Sequence, residues 1–127
     1  MKTAAARNST VLTAAVLAYA IAGPAGAYCV HNKADLEFYV TQTSNGSFWK
    51  PFSAKLQPGE NACCSWTEKD CNKSGGQTDR VGFTASTGGH VIYYPGGGYA
   101  CQDYQIPANG DLYVKGSGGH YSCSQSP

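Results

Sequence analysis

Leu36-Glu37-Phe38-Tyr39-Val40-Thr41 is the stretch that decides the fold class. Leu36, Phe38 and Val40 alternate with Glu37, Tyr39 and Thr41. That period of two puts one set of side chains toward a core and the other toward solvent, as on a half-buried β-strand. The same period returns at Val81, Phe83 and Ala85. Working outward, residues 48–56 predict a second strand, and Pro51 within it makes that strand an edge or a bent one. Pro58-Gly59 predicts a turn, with proline at its second position and glycine at its third. Residues 60–66 predict another strand. Residues 69–79 are polar and glycine-rich and read as a long loop held by Cys71. Further strands are predicted over 90–94, 99–104, 112–114 and 120–123. Gly88-Gly89, Pro95-Gly96-Gly97-Gly98, Asn109-Gly110 and Gly116-Ser117-Gly118-Gly119 punctuate them. No window carries the i, i+3, i+4, i+7 apolar stripe of an amphipathic helix. About seven or eight short strands, with turn signals every ~8–12 residues, predict an all-β, disulfide-stapled antiparallel sandwich or barrel.

The N-terminus has a different character. Lys2 and Arg7 precede an uncharged apolar run over 11–23, then Pro24, then the small residues Ala25-Gly26-Ala27. That order is the pattern of a cleavable secretory signal peptide, with the cut before Tyr28. The run covers about 13 residues, whereas a spanning helix needs about 20, so a membrane anchor is the poorer reading. Residues 1–27 are therefore expected to be a signal peptide. Residues 28–127 are expected to form a single secreted, extracellular β domain without a membrane span. With Lys2 and Arg7 removed, seven basic residues face eight acidic ones. A balance so close to neutral excludes the concentrated positive face of a nucleic-acid binder. It also weighs against a cationic membrane-disrupting toxin.

All six cysteines, Cys29, Cys63, Cys64, Cys71, Cys101 and Cys123, fall after the expected cut. An even number in a short exported chain reads as a disulfide framework of three bridges, whose pairing the spacing leaves open. Cys63 and Cys64 are neighbours and would point to opposite faces of a strand, so each is expected to bond elsewhere. Bridges to Cys29 and Cys123 would tie down both ends. Each bridge typically contributes ~2–4 kcal/mol against a net stability of ~5–15 kcal/mol, so the bridges decide whether so small a domain folds.

Catalytic signatures are sparse. His31, His90 and His120 lack zincin spacing, and the cysteines are expected to be oxidised, so no metal site and no cofactor is predicted. No Gly-X-Ser-X-Gly is present, and an even cysteine count leaves no spare thiol as nucleophile. Among the eight carboxylates none stands out as half of a glycosidase pair. Asp35, near a strand start, and Asp111, after a turn, look structural. The chain is expected not to be an enzyme.

Aromatic residues are more informative. Tyr93-Tyr94-Pro95-Gly96-Gly97-Gly98-Tyr99 sets three tyrosines around a turn, and Phe48-Trp49 lies beside a predicted loop. Tyrosine and tryptophan offer a flat apolar face with a polar tip, suited to protein or sugar surfaces. In a strand only one of two neighbouring tyrosines can face the core. Tyr93, Tyr94, Tyr99 and Trp49 are therefore the candidate binding residues. Phe38, Phe83 and Trp66 are assigned to the core. Asn45-Gly46-Ser47 and Asn72-Lys73-Ser74 are sequons in predicted loops, so Asn45 and Asn72 are candidate glycosylation sites.

Phe52-Ser53-Ala54-Lys55-Leu56-Gln57-Pro58-Gly59-Glu60, followed by Cys63-Cys64-Ser65-Trp66 and Asp70-Cys71-Asn72, resembles small cysteine-rich proteins secreted by filamentous fungi. Many of those are effector candidates acting on a host plant. Residues 32–60 also resemble the opening of thaumatin-like sandwiches. Those proteins are longer and richer in cysteine, and their acidic cleft has no counterpart here. The resemblance implies secretion and virulence and assigns no site residues. The leading expectation is a monomeric effector or toxin-like protein that binds a protein of a host or competitor and modulates host immunity. The alternatives are a glycan- or cell-wall-binding module and a small cell-wall hydrolase.

Overall fold

Period-two burial builds eight strands: β1 (Ala27–Ala34), β2 (Phe38–Ser44), β3 (Ser53–Leu56), β4 (Asn61–Ser65), β5 (Arg80–Ser86), β6 (Tyr99–Pro107), β7 (Asp111–Ser117) and β8 (His120–Ser124). The computed structural model describes residues 26–87 and 98–127. The strand expected over 90–94, with His90, Tyr93 and Tyr94, and nearly all of the expected signal peptide lie outside the described residues.

The strands form two four-stranded sheets, ordered β4-β1-β7-β8 and β3-β2-β5-β6. Phe38 and Val40 of β2 and Val81, Phe83 and Ala85 of β5 face Tyr28 and Val30 of β1 and Leu112 and Val114 of β7. All of these are fully buried, and they make the core of a sandwich rather than a closed barrel. Trp66 is only half-buried, packed against the rim of that core. Five pairings are antiparallel, but β1 and β7 run parallel, from Cys29 opposite Asp111 to Ala34 opposite Gly116. A parallel pair needs a long crossover, and the chain supplies it by passing through β2, β3, β5 and β6 of the other sheet, and β4 of its own, between β1 and β7.

β1 is the element that sequence reading misses. It is a central strand, yet its inward row of Tyr28, Val30 and Ala34 is broken by Asn32, and its outward row holds Cys29 and His31. Asn32 belongs inside because its side chain replaces backbone bonds. Its Nδ2 donates to the carbonyls of Leu36 and Leu56, both at 2.8 Å, and its Oδ1 accepts from the Ala34 N–H at 2.9 Å. The bend that results leaves Leu36 outside β2 and 38 % exposed, contrary to the expected alternation. Pro51 keeps β3 to four residues at a sheet edge, as expected. At the Pro58-Gly59 turn, Gly59 has φ +89° and the Glu60 N–H donates to the Gln57 carbonyl at 3.0 Å.

Three bridges staple the sandwich. Cys29–Cys63 joins β1 to β4 on the outer face of one sheet, with Cα atoms 4.0 Å apart. Cys64–Cys71 ties β4 to the loop over 66–79. Cys101–Cys123 links the two sheets through β6 and β8. Neighbouring Cys63 and Cys64 bond to different partners because they point to opposite faces.

Candidate functional site

β2 bulges between Gln42 and Ser44 and leaves its sheet through Asn45, which has φ +61°. The loop that follows, 45–52, lies against the loop over 66–79. The two are knitted by buried amides. Gln42 donates from Nε2 to the carbonyls of Cys71 (2.9 Å) and Ser44 (3.1 Å), and its Oε1 accepts from the Tyr28 hydroxyl at 2.9 Å. Asn72 is fully buried. It donates to the carbonyls of Trp66 (3.1 Å) and Gly76 (2.8 Å), and it accepts from Asn45 Nδ2 at 2.9 Å. Asn45 Nδ2 also points at Ser74 Oγ and the Arg80 carbonyl. The Ser74 hydroxyl and the Gly76 N–H both donate to Asp79, which holds that carboxyl below its usual range. Backbone bonds from Ser47 to Asp70 (3.1 Å) and from Lys73 to Asn45 (2.9 Å) close the base.

Two of these residues are the expected glycosylation sites. Asn72 is wholly enclosed with its amide engaged, so in this fold its side chain is shut off from solvent. Asn45 is half-buried and its amide is engaged as well. Both sequons are loop ties. A residue's own sequence context carries no mark of which carbonyls will surround it.

On this fixed base stand Phe48 and Trp49, 82 % and 88 % exposed, with ring centroids 4.9 Å apart and planes nearly perpendicular. Beside them opens a groove of about 370 Å³ lined by Phe48, Pro51, Thr43, Ser47 and Lys73. Lys50 and Lys73 are exposed, and among the described residues neither is paired with a carboxylate. Trp49, a candidate binding residue, is thus exposed, but it lies in a loop and not in the strand expected over 48–56, of which only Ser53–Leu56 forms. Phe48, Lys50 and Lys73 join it. The readable signal is two consecutive aromatics between Asn45-Gly46 and Pro51, a loop context in which a core strand cannot absorb both.

Tyr99 lies elsewhere. It faces outward on β6, 38 % exposed, in a row across the sheet with Ser86, Tyr39 and Lys55. From Tyr39 the β2 strand runs on to Ser44, about 17 Å at ~3.4 Å per residue, before the Trp49 loop begins. The structure therefore does not bring Tyr99 and Trp49 together. The β5–β6 connection leaves and returns at the Tyr99 end, where the Thr87 N–H donates to the Gly98 carbonyl at 2.9 Å. Tyr93 and Tyr94, within that connection, lie outside the described residues.

The carboxylates strap strands together. Asp35 accepts from the Tyr121 hydroxyl at 2.7 Å and the Gly118 N–H at 3.3 Å, which lowers its pKa and raises that of Tyr121. Asp103, at φ +47°, accepts from Ser44 Oγ (2.5 Å) and Thr43 Oγ (2.8 Å), and both bonds hold it below its usual range. Gly82 lies under it, where a Cβ would strike the Asp103 carboxyl and the Ser44 side chain. Asp111 bonds His31 Nε2 at 3.1 Å, and the His31 ring stacks on Tyr113 with centroids 4.5 Å apart. Cys29 Sγ and the ligand atoms of His31 and Asp111 all lie within 4.8 Å of one another.

No helix among the described residues is long and apolar enough to cross a membrane. No protein-family model matches the chain, and neither a curated protein nor a solved structure matches it.

Proposed function

We propose that this is a secreted, non-enzymatic binding protein that docks its Phe48-Trp49 tip into a protein of a host or competitor, in the manner of an effector. The observation that carries the reading is the exposure of both rings above a base that is hydrogen-bonded and disulfide-tied. Each ring can bury ~150–250 Å² on a partner. Because the base is already ordered, little loop entropy is lost on docking. The groove's amides favour a protein over a sugar. Gln42 and Asn45 are engaged inside the domain, and Thr43 donates to Asp103, so few donors remain for sugar hydroxyls. Lys50 and Lys73 suit a partner pocket with an acidic rim. The signal-peptide pattern and three bridges support release into an oxidising compartment.

The test is capture from host extract with Phe48→Ala/Trp49→Ala beside the parent protein. A specific partner should be lost at unchanged melting temperature, consistent with hot-spot losses of ~2–4 kcal/mol. Equal capture by the variant overturns the tip as the docking site. Trp49-dependent retention on chitin, cellulose or glucan beads would transfer the site to the glycan reading.

A further inference from the structure

β1 lies between β4 and β7, so Cys29 has Cys63 directly opposite on one side and Asp111 on the other. His31 follows two residues later on the same outer face. Four chemically suitable ligands, two sulfurs, an imidazole and a carboxylate, therefore share one patch on three strands. Oxidation occupies the sulfurs. We propose that this patch is a latent zinc site, opened when the Cys29–Cys63 bridge is reduced. The inference does not rest on the Phe48-Trp49 reading.

Geometry supports both the opening and the binding. Cys63 is exposed, whereas the cysteines of the other two bridges are half-buried or buried, so attacking thiolates reach this bridge first. A dithiol reductant attacks Cys63 Sγ, the S–S bond breaks, and Cys29 leaves as a thiolate that takes up a proton. The reductant's second thiol then releases Cys63 and closes its own disulfide. Two electrons and two protons pass from the dithiol to the protein. Zinc then displaces the two thiol protons to form two Zn–S bonds, and His31 Nε2 and Asp111 Oδ1 complete a tetrahedral set. The 3.1 Å between those two atoms is close to the ~3.3 Å edge of a tetrahedron with ~2.0 Å bonds. With Cα atoms 4.0 Å apart, the two sulfurs need only side-chain rotation to share one ion. The metal would retie β4 to β1 and add β7, preserving the sheet where the covalent staple is lost.

The test uses the exported protein, reduced with a thiol-free phosphine and titrated with zinc or with cobalt as a spectroscopic probe. One equivalent should bind after reduction and none before it. X-ray absorption of the zinc form should show two sulfurs at ~2.3 Å and two nitrogen or oxygen ligands. His31→Gln and Asp111→Asn should each weaken cobalt binding at least about tenfold. Alkylation during limited reduction should label Cys29 and Cys63 before the other four. No metal uptake, an all-sulfur ligand set, unchanged affinity in both variants, or earlier labelling of another bridge would each overturn the proposal. The absorption measurement needs no variant, so a misfolded mutant does not rescue the idea.

Discussion

Single residues with engaged amides and carboxylates hold the site's base. Asn72 is the clearest case. Asn72→Ala would strand the Trp66 and Gly76 carbonyls in a buried setting, and urea unfolding should show a loss of about 2–3 kcal/mol. An unchanged midpoint would mean that water replaces the amide. The lowered carboxyl values of Asp35, Asp79 and Asp103 set a pH dependence. A carboxyl whose folded value lies below its unfolded value near 3.8 stabilises the fold above that value. The contribution is lost as pH falls through the lowered folded value. The melting temperature should hold between about pH 7 and 5 and drop below about pH 4, with a shallower drop in Asp103→Asn. At the alkaline end the sign reverses. Burial raises the Tyr28 phenol, so the stability it contributes should be lost only as pH climbs above the ordinary tyrosine value of 10.

Elements differ in how they are held, and the bridges separate global stability from site geometry. Cys101–Cys123 closes 22 residues across the two sheets, while Cys64–Cys71 closes only 7 beneath the Phe48-Trp49 loop. Chain-entropy arguments give about 3 kcal/mol for the first and about 2 kcal/mol for the second. Replacing Cys64 and Cys71 with alanine should therefore cost less in chemical denaturation, yet weaken partner capture more, than replacing Cys101 and Cys123. The opposite order would place the binding surface near β6 and β8. At this scale β2, β5, β7 and the Pro58-Gly59 turn were legible because alternation and turn chemistry are local properties. β1 was not, because Asn32 is buried for the carbonyls of Leu36 and Leu56, the second of them 24 residues away.

For the whole molecule, the sandwich opens at Ala27, the last residue of the expected signal peptide, which is buried and sits opposite Ser65 of β4. Tyr28 fills the core between the Phe52 and Phe83 rings, at 5.3 and 4.9 Å, and Cys29 is bridged. A chain starting at Tyr28 should fold, whereas one starting at Val30 loses a buried ring and a staple and should not. Circular dichroism melts of the two settle this, and N-terminal sequencing of exported protein checks the cut. Sequence alone determined the all-β class and the stapling, because side-chain alternation is a local property and an even cysteine count is read directly, whereas the Phe48-Trp49 loop lay within a stretch that the sequence assigned to a strand. Only tertiary structure decided the parallel β1–β7 pairing, the bridge partners, the burial of Asn72, the separation of Trp49 from Tyr99 and the meeting of His31, Asp111 and Cys29. Each of these depends on which strands pair across long stretches of chain, and that is set by packing of the two sheets as a whole.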